Sequence, residues 1–198
     1  MLRDFRVADL FTLLNAFAGM GAILSFMRYC VEARMESFWL GTGLLPAALV
    51  MDVLDGRVAR SRGEQSPLGQ ELDSLADVVS FGVAPAAMAY AAGLRGEWDC
   101  ICLMFFVACG ISRLARYNVT ASSLAGPTGK VRYFEGMPIP TSLLLVTLFA
   151  ILAGTGRWQA ELPLGFWSGA AGTFHPLALL FIVHGCAMIS KTLRIPKP

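Results

Sequence analysis

Asp52 and Asp55 stand three residues apart, and Asp73 and Asp77 four apart, in a chain otherwise poor in charge. On an α-helix such spacings share one face, so each pair presents two carboxylates in one direction. Oxygen ligands of this kind suit hard divalent cations, and Mg²⁺ or Mn²⁺ held by carboxylates usually also meets substrate phosphates. Two cations sharing an aspartate can grip a diphosphate. Without cations, four carboxylates packed together would repel one another.

The elements that must position these groups are membrane helices. Of 198 residues, 56% are apolar and 15% charged, against roughly 25% charged in an ordinary soluble domain. The mean hydropathy is +0.60. This balance excludes a disordered chain, a coiled coil, a collagen-like chain and a conventional soluble enzyme. A formal charge of +2 gives no reason to expect nucleic acid as a partner. A spanning helix needs about 20 mostly apolar residues. Residues 10–27, 78–94, 136–156 and 162–190 carry no charge, while the shorter runs 37–51 and 100–112 end in charged residues on what reads as a continuing helix. The expected fold is an all-α membrane protein with six transmembrane helices, at 8–29, 36–61, 69–93, 98–118, 137–155 and 174–192, in a single domain over 1–198.

Six spans place both termini on one side. That side holds Arg3, Arg6, Arg57, Arg60, Arg62, Arg113, Arg116, Lys130, Arg132, Lys191, Arg194 and Lys197; the other holds Arg28, Arg34, Arg95 and Arg157. Twelve against four is a positive-inside signal, so both termini are expected in the cytoplasm. Ala16-Phe17-Ala18 looks like a signal-peptide cleavage site, but the apolar run continues to Met27, so an uncleaved first span is expected.

Helices 36–61 and 69–93 are joined by a short loop and must run antiparallel as neighbours. Measured from Arg60 and Gly69, Asp52 and Asp77 each lie about 12 Å into the membrane, and Asp55 and Asp73 about 7 Å and 6 Å. Four carboxylates thus meet at matching depths in the cytoplasmic half. Charge inside a membrane is expensive and marks function by default. Gly56 and Ala59 beside the first pair, and Gly69 on the face of the second, allow close helix approach and room for a ligand. One rival reading is a set of helix-end aspartates in a solvated loop. Another is a cation transporter, which needs a polar route to the far side; residues 38–48 and 84–93 offer almost no ionisable groups for one.

Written out, the stretch is Asp52-x-x-Asp55-Gly56-x-x-Ala59-Arg60-x8-Gly69-x3-Asp73-x3-Asp77. It resembles the signature of the CDP-alcohol phosphatidyltransferase family at every defined position. The resemblance implies six transmembrane helices, a homodimer, and a site for two Mg²⁺ or Mn²⁺ ions per subunit beneath the cytoplasmic surface. By position, Asp52, Asp55, Asp73 and Asp77 match the metal ligands, Asp77 also the general base, and Gly56, Ala59, Arg60 and Gly69 the CDP-binding positions. Three further segments resemble the integral-membrane branch whose acceptor is L-serine. They are Phe11-Thr12-Leu13-Leu14-Asn15, Ser80-Phe81-Gly82-Val83-Ala84-Pro85, and Arg113-Leu114-Ala115-Arg116-Tyr117-Asn118 with Phe134-Glu135-Gly136-Met137-Pro138-Ile139-Pro140. Asn15 joins the CDP-binding set by this match. The branch's usual Pro-Asn ahead of the first segment is Ala8-Asp9 here.

The implied reaction transfers the phosphatidyl group of CDP-diacylglycerol to the serine hydroxyl and releases CMP, with membrane lipids as surroundings. Glycerol phosphate or inositol phosphate as acceptor, or an ether-lipid donor, are the alternatives within the family. Ser80, Arg113, Arg116, Glu135 and Gly136 are candidates for acceptor or phosphate binding. Arg113 and Arg116 share a helix face, Arg113 about 4.5 Å deeper, and a guanidinium binds a phosphate or carboxylate bidentately. Pro138 and Pro140 are expected to start the fifth helix. Cys30, Cys100, Cys102, Cys109 and Cys186 read as buried apolar packers, and His175 and His184 as packing residues with no accompanying carboxylate.

Overall fold

The computed structural model describes residues 6–62, 67–124, 133–169 and 172–196. Arg3, Lys130, Arg132 and Lys197 of the charge asymmetry lie outside the described residues. Helix α1 (Val7–Glu32) starts where the Arg6 amide donates to Asp9 Oδ2 at 2.8 Å, and it ends at Ala33 in the left-handed region. Two residues later α2 (Met35–Arg62) begins, so α1 and α2 form a hairpin packed along its length. Helices α3 (Pro67–Asp77) and α4 (Ala84–Ala92) form one rod interrupted by a wide π turn at Val78–Val83. Pro85 follows that turn directly. A proline lacks an amide donor and its ring crowds the preceding turn; a π turn is one way a helix absorbs such a local misfit.

Helix α5 (Glu97–Leu124) outruns the expected 98–118. Pro138 and Pro140 open a 3-10 turn, Ile139–Ser142, which leads into α6 (Leu143–Gly154). A second 3-10 turn, Pro176–Ala178, leads into α7 (Leu179–Ile189). Helix α7 stops short of residue 192 because the chain turns into a strand. The all-α expectation is corrected by two short antiparallel ladders among the described residues. Strand β1 (Tyr133–Glu135) pairs with β4 (Arg194–Pro196), and β2 (Trp167–Gly169) with β3 (Gly172–Phe174). Among the described residues, four spans are long and apolar enough to cross a membrane: Ala8–Glu32, Met35–Ser61, Leu68–Ala92 and Glu97–Val119. The apolar helices Ile139–Gly154 and Pro176–Ile189 are shorter.

Small residues and phenyl rings share the core. Ala84, Ala89, Ala91 and Ala92 of α4 are buried beside Phe26, Phe38, Phe81, Phe106, Phe149 and Phe181. The outer faces carry Phe17, Met27, Val31 and Leu40, all exposed. An apolar surface this extensive is a liability in water and fits a lipid surround.

Two sequence readings need correction. Cys102 and Cys109 are buried, but Cys30 and Cys186 are exposed: an apolar run on a membrane helix faces lipid as readily as protein. His175 does have a carboxylate. Its Nδ1 lies 2.6 Å from Asp99 Oδ2, and its amide donates to Asp99 Oδ1 at 2.8 Å. Asp99 Oδ2 also accepts from the Gly96 amide at 2.9 Å. Asp99 thus caps the start of α5 and ties the chain entering α7 to it, at the end of α5 opposite Arg113. The ring supplies one of three hydrogen bonds to the buried Asp99 carboxylate, and a hydrogen bond to a charged group contributes about 1.5–3 kcal/mol. His175→Ala should therefore lower the thermal unfolding midpoint of the detergent-purified protein by several degrees; an unchanged midpoint would show the contact to be incidental.

Candidate metal and substrate site

Helices α2 and α3 bring together carboxylates that stand 18 positions apart in the chain, Asp55 and Asp73. One carboxylate oxygen from each of Asp52, Asp55 and Asp73 lies within 4.8 Å of the others. Asp55 is buried and the other two are half-buried. Asp77 lies outside this triad but within electrostatic range of all three. It is buried one turn further along α3, at the start of the wide turn.

Helix α1 supplies polar contacts to both α2 and α3. Thr12 Oγ1 donates to Asp55 Oδ2 at 2.8 Å, and Asn15 Nδ2 donates to Asp77 Oδ1 at 3.3 Å. Ser80 does not bond its own helix. Its hydroxyl donates to the Asn15 carbonyl at 2.9 Å and is fully buried. A Cβ on Gly19 would collide with Ser80, so this glycine allows the contact between α1 and the wide turn.

The other expected residues divide. Arg113 is buried within electrostatic range of Asp77, with its guanidinium 5.9 Å from the Tyr117 ring centroid. Arg116 instead donates to the Ile189 carbonyl at 3.0 Å, closing the last turn of α7. Gly56 leaves space for Arg60: a Cβ there would sit 3.3 Å from Arg60 Nη1. Arg60 is within electrostatic range of Asp55. Ala59 and Gly69 are half-buried on the same two helices. Glu135 ends β1, its backbone in register with Arg194. Gly136 has φ +76°, and a Cβ there would collide with the Met188 carbonyl; its amide donates to the Leu193 carbonyl at 2.8 Å. That glycine is accounted for by backbone packing.

Sequence reasoning missed Thr12 as a contact of the acidic cluster, although it stands one turn before Asn15 in a quoted motif. It also missed the polar tie between α3 and α5. Asn118 Nδ2 donates to Ser74 Oγ at 3.0 Å and to Glu71 Oε2 at 3.3 Å, and Gln70 Nε2 donates to Asn118 Oδ1 at 3.4 Å.

Three buried atoms at this site make no hydrogen bond among the described residues: Asn15 Oδ1, Asp73 Oδ1 and Arg113 Nε. An unmet buried polar group costs about 1–3 kcal/mol, so their concentration here points to a polar ligand. Convergent carboxylates with an unmet oxygen are a donor set for a hard divalent cation, not for zinc in a nitrogen and sulfur cage.

A membrane helix bundle with an acidic, oxygen-rich centre defines the class. The model of the CDP-alcohol phosphatidyltransferase family matches residues 5–184, and the chain belongs to that family. It is similar to a CDP-diacylglycerol–serine O-phosphatidyltransferase of Saccharomyces cerevisiae, 46% identical over 201 residues, covering 100% of this chain and 73% of that protein. A protein of the same name from Mycobacterium tuberculosis is 36% identical over 163 residues, 79% of this chain and 54% of its own length. One from Methanocaldococcus jannaschii is 37% identical over 146 residues, 74% of this chain and 61% of its own. The chain thus spans about half the length of the mycobacterial relative. It is an integral membrane protein with several apolar helices long enough to span the bilayer.

Detergent-purified protein should bind Mn²⁺, read by isothermal titration. Asp52→Asn and Asp73→Asn should each weaken binding at least tenfold, while the exposed Glu36→Gln should not. Parent-like binding in both aspartate variants would contradict the triad as a cation site.

Proposed function

We propose that this chain transfers the phosphatidyl group of CDP-diacylglycerol to the hydroxyl of L-serine, giving phosphatidylserine and CMP. The convergence of the Asp52, Asp55 and Asp73 oxygens within 4.8 Å carries this reading. Likeness to the yeast serine O-phosphatidyltransferase along the whole chain supports it.

Asp52, Asp55, Asp73 and Asp77 would hold two Mg²⁺ or Mn²⁺ ions. Held there, such ions would supply positive charge against the diphosphate and the leaving CMP. The donor's acyl chains stay in the bilayer, and its CDP lies along Gly56, Ala59, Arg60 and Gly69, with Asn15 beside it. Gly56 and Gly69 keep the backbone low, and Arg60 offers charge at the cytoplasmic rim. Asp77 takes the proton from the serine hydroxyl, which must lie within hydrogen-bond reach of it. The serine oxygen then forms a bond to the phosphorus that carries the lipid, and the bond from that phosphorus to the CMP oxygen breaks. Asn15 holds one Asp77 oxygen and so steadies the base.

Serine brings a carboxylate as well as a hydroxyl. Arg113 is the buried cation near Asp77, and its Nε is open for that carboxylate. The acceptor pocket therefore lies between Asp77 and Arg113. Arg116 is committed to the end of α7 and supports the pocket from outside. Gly136, next to Glu135 at the end of β1, packs its backbone against the end of α7.

The six helices all cross the membrane, the two shorter ones with their 3-10 entries. Both termini face the cytoplasm, from the distribution of Lys and Arg, and the whole chain acts as one transmembrane catalytic domain, paired as a homodimer.

Purified protein given labelled serine, CDP-diacylglycerol and Mn²⁺ or Mg²⁺ should release CMP and label the lipid, and EDTA should stop it. Label entering lipid only when glycerol phosphate or inositol phosphate replaces serine would refute the acceptor. Arg113→Lys should raise the KM for serine at least tenfold and leave that for CDP-diacylglycerol within about twofold, because a point charge does not replace a planar fork. The reverse pattern assigns Arg113 to the donor's phosphates. A reporter fused after Pro198 should be active on the cytoplasmic side; activity on the outer side alone would overturn the topology.

A further inference from the structure

Thr12 belongs to no part of the reaction described above, yet its hydroxyl reaches a carboxylate of the triad. It is 3% exposed and Asp55 is 6% exposed, so water has little access to either. The hydroxyl has two acceptors in range: the Ala8 carbonyl at 3.3 Å and Asp55 Oδ2 at 2.8 Å. The first is the ordinary bond of a threonine back onto its own helix. The second is shorter and goes to a carboxylate, and hydrogen bonds to ionised acceptors are the shorter and stronger kind. The one hydroxyl proton therefore belongs to Asp55.

The contact crosses from α1 to α2 and needs α1 at the right height. One turn along, the Asn15 carbonyl receives the buried Ser80 hydroxyl, and Gly19 lies flush against Ser80. A helix carbonyl at position 15 already faces the amide of position 19. Asn15, Gly19 and Ser80 thus form a single close crossing that prevents α1 from sliding along its axis. Val or Ala at position 12 would keep the helix and lose the donor.

From this geometry we infer that Thr12 is a positioning residue for the cation site, setting the rotation of the Asp55 carboxylate through a hydrogen bond from outside the ligand set. The inference rests on the reading of the aspartates as cation ligands. Groups that orient a metal ligand in this way typically change metal affinity 10- to 100-fold when lost.

The test is Mn²⁺ titration by calorimetry into the full chain in detergent, without lipid substrate. Thr12→Val, nearly the same shape, should weaken Mn²⁺ binding at least tenfold. Thr12→Ser, which keeps the hydroxyl, should stay within about twofold of the parent. Thr42→Val serves as control, since among the described residues the Thr42 hydroxyl bonds its own helix carbonyl at Phe38, at 2.9 Å, and no other group. Turnover by Thr12→Val should need correspondingly more Mn²⁺ and should approach the parent's kcat once Mn²⁺ is saturating. Thr12→Ala stands in if the valine variant fails to purify as a single species. Parent-like Mn²⁺ affinity in the variant lacking the hydroxyl overturns the inference, and so does a serine variant as weak as the valine one. Asp55→Asn separates the two levels: if it too binds Mn²⁺ normally, the cation site itself is wrong, whereas loss in Asp55→Asn with normal binding in Thr12→Val removes only the role of Thr12.

Discussion

Four carboxylates share the interface of two helices that lie in a membrane, and this is the constraint to which the rest of the molecule answers. Like charges at such separations repel, and burial removes the water that would screen them. The protein meets part of the cost with its own groups. Thr12 and Asn15 donate to one carboxylate of each pair, and Arg60 and Arg113 stand within electrostatic range of Asp55 and Asp77. Asp73 Oδ1 and Asn15 Oδ1 accept no hydrogen bond among the described residues, which leaves them open to a polar ligand. A site left unsatisfied by its own chain is what a cation-dependent enzyme of phosphate chemistry requires.

The packing around the carboxylates follows from that requirement. Three helices must approach within hydrogen-bonding distance of one another, and small residues sit where they do so. Gly19 lets α1 touch the wide turn at Ser80, and Gly56 gives Arg60 room beside Asp55. The wide turn at Val78–Val83 falls between Asp77 and Pro85, so Asp77 sits where the helix changes its winding. Rigidity comes from both ends of α5. Asn118 ties its C-terminal part to α3, and Asp99 ties its N-terminal turn to His175.

Much of this was legible in the residues. The spacing of Asp52, Asp55, Asp73 and Asp77 told which faces they share, and the short loop told that α2 and α3 are neighbours. Long apolar runs marked the spans, because lipid demands continuous hydrophobicity. Contacts between distant segments were not legible in that way. Asp99 and His175 are 76 positions apart, and no periodicity links them. Thr12 reads as an ordinary helix threonine until α2 is laid beside it. The sequence sets Arg113 one turn deeper than Arg116 on the same face; the position of α7 adds that Arg116 closes a helix end while Arg113 stays a buried guanidinium. Cys30 and Cys186 were misread for a related reason: in a membrane protein, apolar surroundings do not distinguish the core from the lipid face.

The central claim is that the carboxylate cluster is a strain on the fold that bound cations relieve. Thermal unfolding of the detergent-purified protein, with EDTA or with saturating Mn²⁺, tests it most directly. Ligand at a hundredfold over its dissociation constant stabilises by about 2.7 kcal/mol. The account predicts a midpoint several degrees higher with Mn²⁺. It also predicts that the Asp52→Asn/Asp73→Asn double variant melts above the parent in EDTA and does not respond to the ion. A parent midpoint that Mn²⁺ leaves unmoved, with the double variant melting below it, would contradict the account.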